Sequence, residues 1–132
     1  MKIDEQIQIW MKGLRTNPSE EIIFSLIDAG TDAIPSLIAA WRHEQEPSIR
    51  NRFLEVLSEL PTEATVPMFE QGLLSSDLDE VRFSVLGLFR FDALRFEYRI
   101  LNAIQAHVAL SKEKEFLDYI RNGFELAKQS RV

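Results

Sequence analysis

Displaced by 32 residues, the middle of the chain lies on itself, and this match restricts the possible folds more than any other feature. Ala33-Ile34-Pro35-Ser36-Leu37 falls on Thr65-Val66-Pro67-Met68-Phe69. Ile49-Arg50 falls on Val81-Arg82, Phe53 and Leu54 fall on Val85 and Leu86, and Leu57 falls on Phe89. Two prolines and two arginines coincide without a gap. A period of this length belongs to stacked helical repeats, in which a single unit cannot bury its own apolar face and its neighbours must cover it.

Apolar residues recur at helical spacing throughout, with no alternating strand run and no Asn-Gly or Asp-Gly hairpin. Start and stop signals divide the chain into helices over 3–14, 18–29, 32–43, 47–60, 63–74, 78–91, 93–109 and 112–128. Asn17 is read as an N-cap ahead of Pro18, and Gly30 as the stop of that helix. Thr31 or Asp32 is read as the next cap, Asp77 with Glu80 as a capping box, and Ser111 as the last cap. The fold class expected is all-α: about four stacked antiparallel helix pairs in one domain, 1–132. Clear repeat copies span 31–60 and 63–91, and divergent helices flank them at 1–30 and 92–132.

At these residues the chain resembles the HEAT-repeat family, a right-handed α-solenoid. The first helix of that repeat carries an Ile/Val-Pro pair, here Ile34-Pro35 and Val66-Pro67. The second opens Asp-x-x-Val-Arg or similar, here Asp77-Leu78-Asp79-Glu80-Val81-Arg82 and Glu46-Pro47-Ser48-Ile49-Arg50. The resemblance covers residues 31–91 and bears on fold far more than on function. Independently of it, Pro35 and Pro67 fit a first helical turn, where a missing N–H costs little. Arg50 and Arg82 sit early in their helices, where the macrodipole disfavours a cation, so they are expected to bond carboxylates or carbonyls of neighbouring turns.

With 45% hydrophobic residues the chain has enough material for a core. No stretch approaches the ~20 apolar residues of a membrane span. The start, Met1-Lys2-Ile3-Asp4-Glu5, is acidic where a signal peptide is basic, and there are no cysteines. A cytoplasmic protein is expected, without disulfides or thiolate chemistry. The net charge of −6 is uneven: residues 1–80 hold 15 acidic and 6 basic side chains, whereas residues 81–132 hold 6 acidic and 9 basic. An acidic front repels nucleic acid and steers a basic protein.

Little in the sequence points to catalysis. His43 lies in a turn and His107 at the edge of an apolar stripe, and neither has metal-site spacing. The acidic groups Glu20/Glu21 and Asp77/Asp79/Glu80 fall at helix starts, where capping explains them. There is no glycine-rich phosphate loop and no Gly-x-Ser-x-Gly elbow. No metal, no cofactor and no catalytic residue are therefore expected. Among HEAT-like enzymes, alkylpurine DNA glycosylases need a basic groove that this chain lacks. A bilin-lyase-type protein is the alternative, and it predicts a deep pocket joining His107 to a carboxylate.

The second helices are expected to line the concave binding face. On 47–60 the core takes Ile49, Phe53, Leu54, Leu57 and Leu60, which leaves Asn51, Arg52, Glu55 and Glu59 facing elsewhere. The 32-residue shift carries Asn51 onto Phe83, Glu55 onto Gly87 and Glu59 onto Phe91, so 78–91 has a second apolar stripe where its sister is polar. That stripe is either covered by the C-terminal helices or an aromatic anchor beside Arg90 and Arg95. The segment 89–99 interleaves aromatics with arginine, which suits either a crowded turn or base stacking. Trp10 and Trp41 are read as core. The partner-binding residues expected are Asn51, Arg52, Glu55, Glu59, Glu63, Glu70, Phe83, Arg90, Phe91 and Arg95. The resulting reading is a non-catalytic binding module for a protein with a basic surface. Size, charge and fold resemblance suggest a bacterial immunity protein that neutralises a toxin such as a basic nuclease; the alternative is an adaptor or scaffold.

Overall fold

Periodic apolar positions here produce helices alone: the computed structural model describes residues 2–130, and no strand occurs among them. Met1, part of the N-terminal pattern read above, and Arg131 and Val132 lie outside the described residues. The α-helices are α1 (Ile3–Thr16), α2 (Glu20–Ala29), α3 (Ile34–His43), α4 (Pro47–Ser58), α5 (Val66–Gly72), α6 (Leu78–Asp92), α7 (Glu97–Ala106), α8 (Val108–Ser111) and α9 (Lys114–Ser130). A single 3₁₀ turn, Gly30–Asp32, joins α2 to α3. No single helix among the described residues is long and apolar enough to cross a membrane.

The chain forms two compact units, Met1–Leu60 and Pro61–Val132. The division falls between the two repeat copies. In the first unit α1 pairs with α2 and α3 with α4, and α4 also touches α1 and α2. In the second, α5 pairs with α6, and α6, α7 and α8 pack on one another. The repeated apolar positions are core in both copies: Leu37, Phe53, Leu54 and Leu57 in one, Phe69, Val81 and Val85 in the other, all nearly or fully buried. Trp41 is buried as expected, whereas Trp10 is half-buried.

Several boundaries differ from the sequence expectation, each for a local reason. Asn17 does not cap α2; it closes α1, its N–H donating to the Gly13 carbonyl. Ser19, beyond Pro18, takes the cap and accepts from the Ile22 N–H at 3.3 Å. Gly30 does stop α2, with φ at 62°, but its ψ of −131° sends the chain into the 3₁₀ turn. Neither Thr31 nor Asp32 therefore caps α3, which starts after Ala33 with no side-chain cap. Pro35 and Pro67 sit in the first turns of α3 and α5. Asp77 caps α6 by accepting from the Glu80 N–H at 2.9 Å, while the Glu80 carboxylate accepts from the Ser75 hydroxyl at 2.8 Å. The expected helix 93–109 is broken. Its start shifts to Glu97, and an extended His107 (φ −105°, ψ 102°) separates α7 from α8. Ser111 ends α8 and caps nothing; its hydroxyl donates back to the Val108 carbonyl.

Candidate functional site

In the first unit the two arginines of α4 face inward, onto the ends of other helices. Arg50 Nε donates to the Trp41 carbonyl at 3.1 Å, and its guanidinium lies 3.9 Å from the Trp41 ring centroid. Arg52 Nη1 donates to the Arg15 carbonyl at 2.7 Å and to the Leu14 carbonyl at 3.4 Å. Trp41 is in the last turn of α3, and Leu14 and Arg15 are in the last turn of α1. Those turns carry orphan carbonyls and the negative end of the helix dipole, so a guanidinium is favourable at each. Arg50 thus behaves as expected. Arg52, expected to contact a partner, has a capping role at the end of α1. Asn51, also expected to face a partner, is only 9% exposed. The cause is common to both: α4 is flanked by α1, α2 and α3, so it buries far more than one stripe. Of the remaining residues expected on this helix, Glu55 is half-buried and Glu59 is exposed.

In the second unit three of the expected residues, Glu63, Glu70 and Arg95, take part in two ion pairs, the fourth member being Arg99. Arg95 Nη1 bonds Glu63 Oε1 at 2.8 Å, and Arg99 pairs with Glu70. Of the four carboxylates expected to meet a basic partner, Glu63 and Glu70 are thus matched by arginines from the 95–99 segment. Arg95 also stacks over Phe96 at 4.8 Å and reaches Phe91 at 5.9 Å. The dense aromatic–arginine segment is a packed turn, with Phe96 buried beneath it. Arg90 is exposed, and Phe83 and Phe91 are half-buried.

The apolar stripe expected along α6 is interrupted at its middle. Gly87 is buried, and a Cβ placed on it would lie 2.5 Å from the Phe69 ring. Glycine is there because the ring of α5 presses on the α6 backbone, so the stripe at this point faces α5 and not solvent. Phe89, the counterpart of Leu57 and not part of that stripe, packs on α9 through Tyr119 and Phe124, both at 5.5 Å between ring centroids. Arg82 binds the carboxylates of Asp79 and Glu113, an intrachain role of the kind expected.

Beside the Glu70–Arg99 pair the second unit opens a cavity of about 640 Å³ between α5 and α7. Leu73, Leu74, Ala103 and Ala106 supply its apolar wall, and Gln71 and Asn102 add polar groups. Leu74 is 88% exposed, and Tyr98, next to Arg99, is 78% exposed. The sequence reading passed over Leu74 because it extended that helix to residue 74. Gly72, the last residue of α5, is itself helical, and a Cβ there would collide with the Ser84 side chain, so this glycine serves packing and does not mark the stop.

Histidine chemistry takes a modest form. His107 Nε2 lies 3.3 Å from the Ser76 carbonyl oxygen and can donate to it in the appropriate tautomer. No carboxylate bonds its ring among the described residues. No group of three or more His, Cys, Asp or Glu residues able to hold a metal occurs among them either. Comparison with known proteins finds no family model, no curated protein and no solved structure that matches this chain.

Proposed function

We propose that the chain is a non-catalytic protein-binding module, a HEAT-type stack of helix pairs that binds and neutralises a partner with a basic surface. The observation that carries this reading is the α5/α7 groove, an apolar cavity lined by strongly exposed Leu74 and rimmed by Glu70 and Arg99, with exposed Tyr98 next to Arg99 in the chain. Large apolar side chains at such exposure beside arginine are the residue types that anchor interfaces. Pairing of helices in chain order supports the stacked-pair reading.

The occupant is an apolar side chain of the partner, with lysine or arginine beside it. An exposed ion pair contributes only about 0–1 kcal/mol, so incoming cations can take Glu63 or Glu70 from their arginines at small cost. Burying Leu74 and Tyr98 supplies roughly 2 kcal/mol each. A net charge of −6 favours encounter with a basic protein. Size, charge and the helical-repeat resemblance further support a cytoplasmic inhibitor of the bacterial immunity type.

Co-expression with the protein encoded by the adjacent gene tests the proposal. A complex that survives size-exclusion chromatography, together with protection of the host cell, is expected. Leu74→Asp should weaken that complex by about tenfold or more. Absence of both complex and protection would overturn the inhibitor reading, and a complex indifferent to Leu74→Asp and Tyr98→Ala would overturn the groove.

A further inference from the structure

The first unit holds a cleft of about 490 Å³ between α1 and α3, far from acidic in its lining. Gln8, Lys12 and Arg15 recur on α1 at one-turn spacing, and Ser36, Ala40 and His43 do the same on α3. The cleft therefore runs between two facing stripes. One end is tied by Gln8 Nε2 donating to Ser36 Oγ at 3.2 Å. Near the other, Arg15 Nη2 pairs with Glu44 Oε2 at 2.9 Å. Between these ties Ala39 and Ala40 bring no bulk, and buried Met11 and Phe53 form the apolar wall.

The charges in this cleft are unbalanced. Arg15 has Glu44, but among the described residues no hydrogen bond or ion pair engages the Lys12 ammonium or the His43 ring. The surrounding unit carries ten acidic and six basic side chains, so carboxylates to match Lys12 were plentiful. None lines the cleft. A cavity of this size, apolar on one wall with a few convergent polar groups, has the makeup of a small-molecule site.

We propose that the α1/α3 cleft binds a small organic anion, a phosphate monoester or carboxylate with a single-ring body. The anionic head bonds Lys12 and His43, and the ring lies on Met11, Ala39, Ala40 and Phe53. This site is independent of the protein-binding groove in the second unit.

Titrating the ¹⁵N-labelled full chain with phenyl phosphate, benzoate, inorganic phosphate and benzyl alcohol tests it. Saturable shifts confined to residues 8–15 and 36–43 are expected with phenyl phosphate or benzoate, and whichever binds more tightly identifies the head group. Inorganic phosphate and benzyl alcohol should each bind about tenfold more weakly, because each keeps half of the contacts. Lys12→Glu should weaken binding by at least about tenfold. Lys112→Glu, an equal charge change in the other unit, should not. Ala39→Phe fills the cleft without altering charge and should abolish the saturable shifts. Linear shifts spread over exposed lysines and arginines, or unchanged affinity in Lys12→Glu, would overturn the proposal.

Discussion

Phe69 and Gly87 show how two sequence copies with one backbone plan come to differ. Their counterparts in the first copy are Leu37 and Glu55, so a larger ring in α5 is matched by a vanished side chain in α6. In a helix, glycine to alanine ordinarily stabilises by up to about 1 kcal/mol. Here the added methyl meets the ring, and Gly87→Ala should instead destabilise by about 1–3 kcal/mol. Phe69→Leu leaves a gap and costs about 1 kcal/mol or more alone, but the double variant should recover part of the loss. Denaturant melts of the four proteins measure the coupling, and strict additivity would contradict the contact. Arg52 gives a second test. Arg52→Ala removes a guanidinium from the α1 carbonyls and should lower stability by about 1–3 kcal/mol, whether or not a partner is present. Neither effect could be read from periodicity. A stripe at 3.6 spacing assigns residues to one face, but it cannot register that α4 is packed by three helices or that a ring lies over position 87.

At the level of helices, what was legible followed from apolar spacing, and what was not followed from local competition. Pairs built on Leu37, Phe53, Leu57, Phe69 and Val81 emerge from the repeat because burial of those positions dominates. Caps were less secure: Asn17 and Ser19 both flank Pro18, and only the one adjoining the first free N–H groups can serve. The break at His107 has no glycine or proline to announce it. The C-terminal helix is held by aromatic contacts to Phe89 and by Lys128, whose ammonium lies 3.0 Å from Glu97 on α7. The hydrogen bond to Glu97, and then its charge, raise the Lys128 pKa above the ordinary 10.5. A group whose folded pKa is raised contributes stability that is complete below the unfolded value and lost as pH climbs through the folded one. The stability difference between the native chain and Lys128→Met should accordingly hold steady up to about pH 10 and disappear above it. Thermal melts across that range measure it, and a difference unchanged at high pH would exclude the ion pair as its source.

Across the whole molecule the net charge of −6 was available from composition, but its disposition was not. Glu63 and Glu70, expected to meet a basic partner, are matched by Arg95 and Arg99, arginines that lie 32 and 29 residues further along the chain. The acidic first unit likewise contains a cleft whose free ammonium and imidazole run against its overall sign. Charge counted over long windows gives the far field that a partner meets first, whereas recognition depends on which charges remain unmatched at contact. For a basic partner, the association rate should fall by about tenfold from low salt to about 0.5 M. The dissociation rate, governed by the apolar groove around Leu74, should change far less. Stopped-flow measurements separate the two, and a salt-independent association rate would remove steering from the mechanism.

The inward-facing arginines of α4 also impose an order on the birth of the first unit. The ribosome delivers α1 and α3 before it delivers Arg50 and Arg52, so both helices emerge with their terminal carbonyls bonded only to water. Each acquires its protein partner when the same later helix arrives. One stretch of chain thus closes two helices together, and a nascent chain arrested before it should hold α1 and α3 as frayed, exchanging segments.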